Sequence, residues 1–161
     1  MKITFESIGT IHTPFKSPRG VPIQGALRQD IKGEVEIFAD FQSGLKDLDG
    51  FSHLILLYYF DQVKEYSLQA IPFLDTTPRG VFAIRGPRRP NPVGFTVVKN
   101  LGIKKNRIKF AGVDMVDKTP LLDIKPYFSD IDSHPDASTG WMKEKLKTEG
   151  NRTRADNRFI K

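Results

Sequence analysis

"VGFTVVKNLGIKKNRIKFAGV", residues 93–113, decides the fold. Val93, Phe95, Val97, Leu101 and Ile103 recur at even spacing and fall on one face of an extended chain. "KKNR" (104–107) is a polar turn, and "IKFAGV" (108–113) resumes the alternation. Two alternating runs around a short polar turn predict a β-hairpin. The period continues on either side. "IKGEVEIF" (31–38) sets Ile31, Val35 and Ile37 against Lys32, Glu34 and Glu36. "HLILLYYF" (53–60) is apolar at every position after its histidine, which predicts a strand covered on both faces. "VFAIR" (81–85) and "LLDIK" (121–125) predict two further short strands.

Helix signals are sparse. "FADFQSGLKDLDG" (38–50) has room for one short helix ended by Gly50. "ASTGWMKEKLK" (137–147) has room for another, capped at Asp136 or Ser138. Many short strands with few helices predict a mainly β fold, a single small antiparallel β-barrel. The barrel is expected over residues 1–136, with a helix and a basic tail over 137–161. The polar stretch "TEGNRTRADNRFIK" (148–161) is expected to fray. No internal repeat divides the core.

Composition bounds the function. The 161 residues suffice for one packed core, and 39% hydrophobic with 27% charged residues fits a folded soluble protein. The longest apolar stretch, "FSHLILLYYF" (51–60), is half a membrane span, so no membrane partner is expected. "MKITFESIG" has no apolar signal core behind its lysine, which makes the cytoplasm the expected compartment. The absence of cysteine excludes disulfides, thiol nucleophiles and thiolate metal sites. "DIDSHPD" (130–136) lacks the central glycine of a calcium loop, and Trp141 stands where its closing glutamate belongs. No metal is expected there. Walker and GxGxxG loops are missing.

Charge is unevenly spread. Between Thr76 and Val113 there is no acidic residue, yet Arg79, Arg85, Arg88, Arg89, Lys99, Lys104, Lys105, Arg107 and Lys109 all fall there. The rest of the chain carries 16 basic against 19 acidic residues. Such asymmetry points to a phosphate-bearing partner. Within the window, "RGPRRPNP" (85–92) sets three arginines among three prolines. Proline at that density blocks helix and central strand alike, so the segment reads as a rigid surface loop facing an anion.

The stretch "GVFAIRGPRRPNPVGFTVV" (80–98) resembles the signature of the TsaA/YaeB-like (TrmO-type) tRNA adenine N6-methyltransferase family. "IGTIHTPF" (8–15), "PIQG" (22–25), "DGFSHLILLYYF" (49–60) and "DMVDKTPLLDIKPY" (114–127) agree with it in order. The resemblance spans residues 7 to 136. It implies a small barrel that binds S-adenosylmethionine without a Rossmann fold, as a homodimer. The implied reaction moves a methyl group to N6 of a threonylcarbamoyl-adenosine beside the anticodon of tRNA. The implied cofactor residues are Pro22, Ile23, Gln24, Phe60, Asp61, Arg85, Phe95, and the stretch from Asp114 through Asp117, Lys118 and Thr119 to Pro120.

The residue chemistry agrees with that assignment. A sulfonium cofactor with an amino-acid tail and ribose hydroxyls needs arginine or N–H donors for its carboxylate. It needs aspartate, glutamine or carbonyl acceptors for its ammonium and hydroxyls. Arg88 and Arg89 suit tRNA phosphates or the carboxylate of the modified base. Asn91, mounted between prolines, and Asp123 are the candidate catalytic groups that orient the base or accept its proton. For Asn91 a turn-stabilising contact is an equal reading, and for Asp123 a salt bridge to a nearby basic residue. Other readings are a methyltransferase acting on another RNA adenosine or a small molecule, and a non-catalytic RNA- or S-adenosylmethionine-binding module.

Three positions depart from the family pattern. Asp61 stands where histidine is common, Ile23 where an arginine is common, and Lys118 where glycine is usual. A lysine at 118 implies that no positive-φ backbone is used there. From Lys143 to Lys161 seven basic residues face three acidic ones, a tail able to supply part of the tRNA contact.

Overall fold

The computed structural model describes residues 1–149 and 154–156, with side chains through Lys145 and again at 154–156. Eight strands form among the described residues: β1 (Gly9–His12), β2 (Lys32–Ile37), β3 (His53–Tyr59), β4 (Gln69–Ala70), β5 (Arg79–Gly80), β6 (Val93–Lys104), β7 (Arg107–Ala111) and β8 (Thr119–Pro126). Six of them close an antiparallel barrel in the order β1-β2-β7-β6-β3-β8, with β8 returning to β1. The expected mainly β barrel is what forms. β4 and β5 pair separately, inside the long loop that joins β3 to β6.

The expected β6–β7 hairpin is present, but its faces are reversed over the first half of β6. Gly94, Thr96 and Val98 point into the barrel, while Val93, Phe95 and Val97 form its outer wall. The cause is volume. The Tyr58 ring lies over Gly94, where a Cβ would sit 2.1 Å from Tyr58 Cε2. A bulge between Asn100 and Gly102 then exchanges the faces, and Ile103 packs on the core. Apolar alternation found the strand but not which side is covered.

β3 is covered on one face, not two. Leu54, Leu56 and Tyr58 are buried, whereas Ile55 and Leu57 are half-buried and Tyr59 is exposed. On the outer wall Ile55 pairs with Val97, Leu57 with Phe95 and Tyr59 with Val93. The interior is filled by Ile11, Val35, Ile37, Leu54, Leu56, Val98, Ile108, Phe110 and Leu121. Each such side chain contributes about 1.5–3 kcal/mol by leaving water.

The helices also differ from expectation. Residues 38–50 form two 3-10 segments, Ala39–Leu45 and Leu48–Gly50, separated by Asp47 at φ 65°. Phe41, Leu45, Leu48 and Phe51 from this segment pack on the core at the end where β2 stops and β3 begins. "VFAIR" is a 3-10 turn over Val81–Ala83, not a strand; Val81 and Ile84 anchor it by burial. A short helix α1 (Ser129–Asp132) follows β8, and α2 (Met142–Glu149) begins later than its expected caps, after Gly140 at φ 55°.

The chain beyond α1 is fastened to the barrel's loops. The Trp141 indole donates to Ala83 O at 2.8 Å, the Arg79 guanidinium lies 5.3 Å from the Trp141 ring, and Lys145 pairs with Asp75 at 3.2 Å. Further on, Ala155 N donates to Val21 O at 2.7 Å. The expected fraying of the tail otherwise falls outside the described residues. Among the described residues no helix is long and apolar enough to cross a membrane.

Candidate cofactor and RNA site

Antiparallel closure gathers almost every candidate residue at one rim. β1, β3 and β7 end there, and β2, β6 and β8 begin there. Pro22, Ile23 and Gln24 lie on the β1–β2 loop, and Phe60 and Asp61 directly follow β3. Arg85 to Asn91 precede β6, Asp114 to Lys118 join β7 to β8, and Thr119 and Pro120 open β8. Segments 30 to 90 residues apart in sequence thus share one mouth.

Two polar clusters occupy that mouth. The first is built on Asp114, a half-buried residue whose carboxylate meets the buried Tyr58 and Thr96. One carboxylate oxygen accepts the Thr96 hydroxyl at 2.6 Å and the Tyr58 hydroxyl at 3.2 Å; the other accepts Gly25 N at 2.9 Å. Burial pushes the Asp114 carboxyl above its usual range, opposed by these hydrogen bonds. The Tyr58 phenol is held well above its own range by burial and by the nearby carboxylate, so it stays a donor. Gly25 is required by close approach, since a Cβ would meet Gly112 O at 2.0 Å. Asp114 therefore pins the Pro22–Gly25 loop to the barrel wall. Beside it, Arg85 Nη1 donates to Gln24 Oε1 at 2.9 Å, and its guanidinium lies 5.7 Å from the Phe95 ring.

The second cluster lines a cavity of about 480 Å³ bounded by Lys16, Asp61, Gln62, Asp117 and Lys118. Asp117 accepts Thr13 N at 3.0 Å and pairs with Lys16 at 2.5 Å, while His12 Nδ1 stands 3.8 Å away. The Lys16 ammonium, then the Thr13 amide, hold its carboxyl below the usual range despite some burial. Lys118 adopts φ 66°, so the left-handed backbone is used here after all. It is held by Lys118 N donating to Ile11 O at 2.8 Å. An L-residue in this region costs about 1–2 kcal/mol relative to the right-handed form.

The arginine loop is divided in its tasks. Arg89 turns back on its own loop and donates to Ile84 O at 3.1 Å and Gly86 O at 3.3 Å, which commits its guanidinium to loop shape. Arg88 makes no side-chain hydrogen bond or ion pair among the described residues, so its guanidinium is free. Asn91 is exposed, and its side-chain amide has no partner among the described residues; the turn contact runs through its backbone, Val93 N to Asn91 O at 2.8 Å.

Asp123 is not brought to the rim. It sits in register with Leu57 on the outer wall, at a bulge, and pairs with Lys125 at 2.7 Å. The salt-bridge reading of Asp123 is the one that the geometry supports.

Tyr58, Thr96, Gly25, Lys16, Gln62 and His12 belong to the mouth and were not among the sequence candidates. Tyr58 hid in an apolar run. Thr96 hid in a row whose apolar partners faced outward. Lys16 directly follows "IHTPF", and that adjacency was its only signal.

The N-terminal-domain family of tRNA-methyltransferase O matches residues 10–133. The chain belongs to this family. A Pyrococcus abyssi protein described as a probable S-adenosyl-L-methionine-binding protein is 44% identical over 161 residues, covering 99% of this chain and 86% of that one. The tRNA (adenine(37)-N6)-methyltransferase of Escherichia coli is 37% identical over 149 residues, covering 86% of this chain and 63% of the enzyme. The crystal structure of TrmO from Pseudomonas aeruginosa superposes with a TM-score of 0.74 at 33% identity, covering 88% of this chain and 63% of that one. The chain thus spans less than two thirds of those two longer proteins.

Proposed function

We propose that this protein is an S-adenosylmethionine-dependent tRNA methyltransferase acting on N6 of the threonylcarbamoyl-adenosine beside the anticodon. The observation that carries the reading is the mouth itself: a cavity lined by both signs of charge, beside a buried carboxylate cluster and an arginine-rich loop. The family membership of the chain supports it.

The cavity residues fit the cofactor. Its amino-acid end carries a carboxylate and an ammonium, and the lining holds Lys16 and Lys118 for the one and Asp61 for the other. Asp117 is already bonded to Lys16 and Thr13 N, so it aims Lys16 instead of serving as a free acceptor. Gln24 and Arg85, locked to each other, fix the facing loop. When bound, the cofactor supplies an electrophilic methyl group on a sulfonium. The chain's own part is positioning, the dominant contribution where a nitrogen must approach in line. The free amide of Asn91 accepts an N6–H hydrogen bond through its oxygen and turns the amine lone pair inward. Arg88 pairs with phosphate or with the carboxylate of the modified base.

The apolar strip on the outer wall, Ile55, Leu57, Val93, Phe95 and Val97, suits a homodimer. A tRNA substrate puts the site of action in the cytoplasm.

The test is mass spectrometry of nucleosides from tRNA incubated with enzyme and methyl-labelled cofactor, with and without prior threonylcarbamoylation. The expected result is label on N6 of the modified adenosine, at least tenfold faster than on unmodified tRNA. Equal labelling of an unmodified adenosine in both tRNAs overturns the substrate; no label in either overturns the reaction.

A further inference from the structure

The β6–β7 hairpin tip lies at the opposite end of the barrel from the mouth. β6 runs 12 residues from the mouth to the tip, about 35 Å at the usual rise per residue. From Lys99 to Lys109 the hairpin carries Lys99, Lys104, Lys105, Arg107 and Lys109 and no acid. The two glutamates on the neighbouring strand do not neutralise it. Arg107 takes both Glu34 and Glu36, and His12 also bonds Glu36. Lys109 stands directly opposite Glu34 in register yet makes no ion pair among the described residues. Lys99, Lys104 and Lys105 likewise have none, and all four lysines are exposed.

The tip is rigid and strained at one lysine. Lys105 holds φ 56°, a conformation that glycine or asparagine adopts more readily. The following residue clamps it: Asn106 Nδ2 donates to Ile37 O at 2.8 Å, and Ile37 N donates to Asn106 O at 2.9 Å. A strained, clamped position that keeps a long cation, where glycine would relieve the backbone, marks a side chain retained for contact.

We propose that this hairpin is a second phosphate-binding ridge for RNA, in which Lys99, Lys104, Lys105 and Lys109 grip the backbone of a tRNA whose reacting nucleotide lies in the mouth. The proposal rests on the reading that the substrate is tRNA. The ridge contacts phosphates, so it adds affinity and salt dependence without reading sequence. It requires an RNA long enough to reach from mouth to tip, and an isolated anticodon stem-loop seated at the mouth stops short of it.

The experiment compares wild type with Lys104→Gln/Lys105→Gly/Lys109→Gln. Fluorescence anisotropy is read against a full-length tRNA transcript and against an isolated anticodon stem-loop, at several salt concentrations. The triple variant is expected to lose at least tenfold in affinity for the full-length tRNA, with a salt slope lower by about 2–3. Its affinity for the stem-loop stays within twofold, and its Tm does not fall, since Lys105→Gly relaxes the backbone. Lys105→Arg alone keeps full-length binding. Unchanged full-length affinity and slope overturn the ridge, and so does an equal loss on the stem-loop. Binding is read without catalysis. A ridge-dependent affinity in a protein that transfers no methyl group would overturn the proposed reaction and leave the ridge standing.

Discussion

The two ends of the barrel are closed by opposite chemistry. At the end where β2 stops, Phe41, Leu45, Leu48 and Phe51 plug the core with hydrocarbon, and the Phe128 ring stands edge-on to Phe51 at 5.6 Å. At the mouth, Tyr58, Thr96 and Asp114 fill the same kind of space with a hydrogen-bonded carboxylate. An apolar plug holds the barrel by area and tolerates exchange of one side chain for another of like volume. A buried carboxylate holds it only while every partner is in place. The plugged end can therefore vary in detail, whereas the mouth is fixed atom by atom, as a site requires.

The sharpest way to break this contrast is to cut each end once. Asp114→Ala leaves two hydroxyls and the Gly25 N–H without their acceptor in a buried place, each a penalty of about 1–3 kcal/mol. Stability is expected to fall by about 3 kcal/mol, and cofactor binding to fall with it as the Pro22–Gly25 loop is released. Phe41→Ala, at a half-buried plug residue, is expected to cost about 2 kcal/mol in chemical denaturation and to leave cofactor affinity unchanged. If the two substitutions affect affinity alike, the ends are not divided as described.

Acid sharpens the comparison, because the carboxylates respond with opposite sign. Asp117 is held low first by Lys16, and Asp75 first by Arg79. A depressed carboxylate gives stability that is complete above its unfolded-state pKa and lost as pH falls through the folded value. Asp114 is raised by burial, so its contribution is present in acid and lost as pH rises through its folded value. Acid unfolding is thus expected to set in below about pH 4 and to be driven by Asp75 and Asp117. In a series of Tm against pH, Asp75→Asn should flatten the acid limb, while Asp114→Asn should leave that limb in place.

The smallest effect concerns backbone strain at the mouth. Lys118→Gly relieves the left-handed residue and is expected to raise stability by about 0.5–1 kcal/mol, with a several-fold loss in cofactor affinity from the missing ammonium. A drop in Tm would show that the lysine makes a contact that offsets its strain.

How much of this was legible in the sequence follows from the same contrast. Strand existence was plain in 31–38 and 93–113, because alternation survives whichever face is buried, and in 53–60 and 121–125 from short apolar runs. The buried face of β6 was not legible. Its inward residues are Gly94 and Thr96, small because Tyr58 needs the room and polar because Asp114 needs a donor, and both facts live on other segments. The stretch 38–50 was read as one helix because periodicity cannot see Asp47 at positive φ, which splits it into two 3-10 segments. The loops that family resemblance singled out share one rim of the barrel. The resemblance could not tell Arg88, whose side chain has no partner among the described residues, from Arg89, which is bound to its own loop, nor see that Asp123 pairs with Lys125. Those distinctions depend on where single side chains turn.

The central claim is that the mouth, with its paired charges, holds the cofactor. The most direct test is a calorimetric titration of S-adenosylmethionine into wild type and Lys16→Ala. Saturable binding to wild type is predicted, with a loss of about 1.5–3 kcal/mol in the variant, whose carboxylate partner is gone. No heat and no thermal shift in wild type at millimolar ligand, or equal affinity in the two proteins, would contradict it.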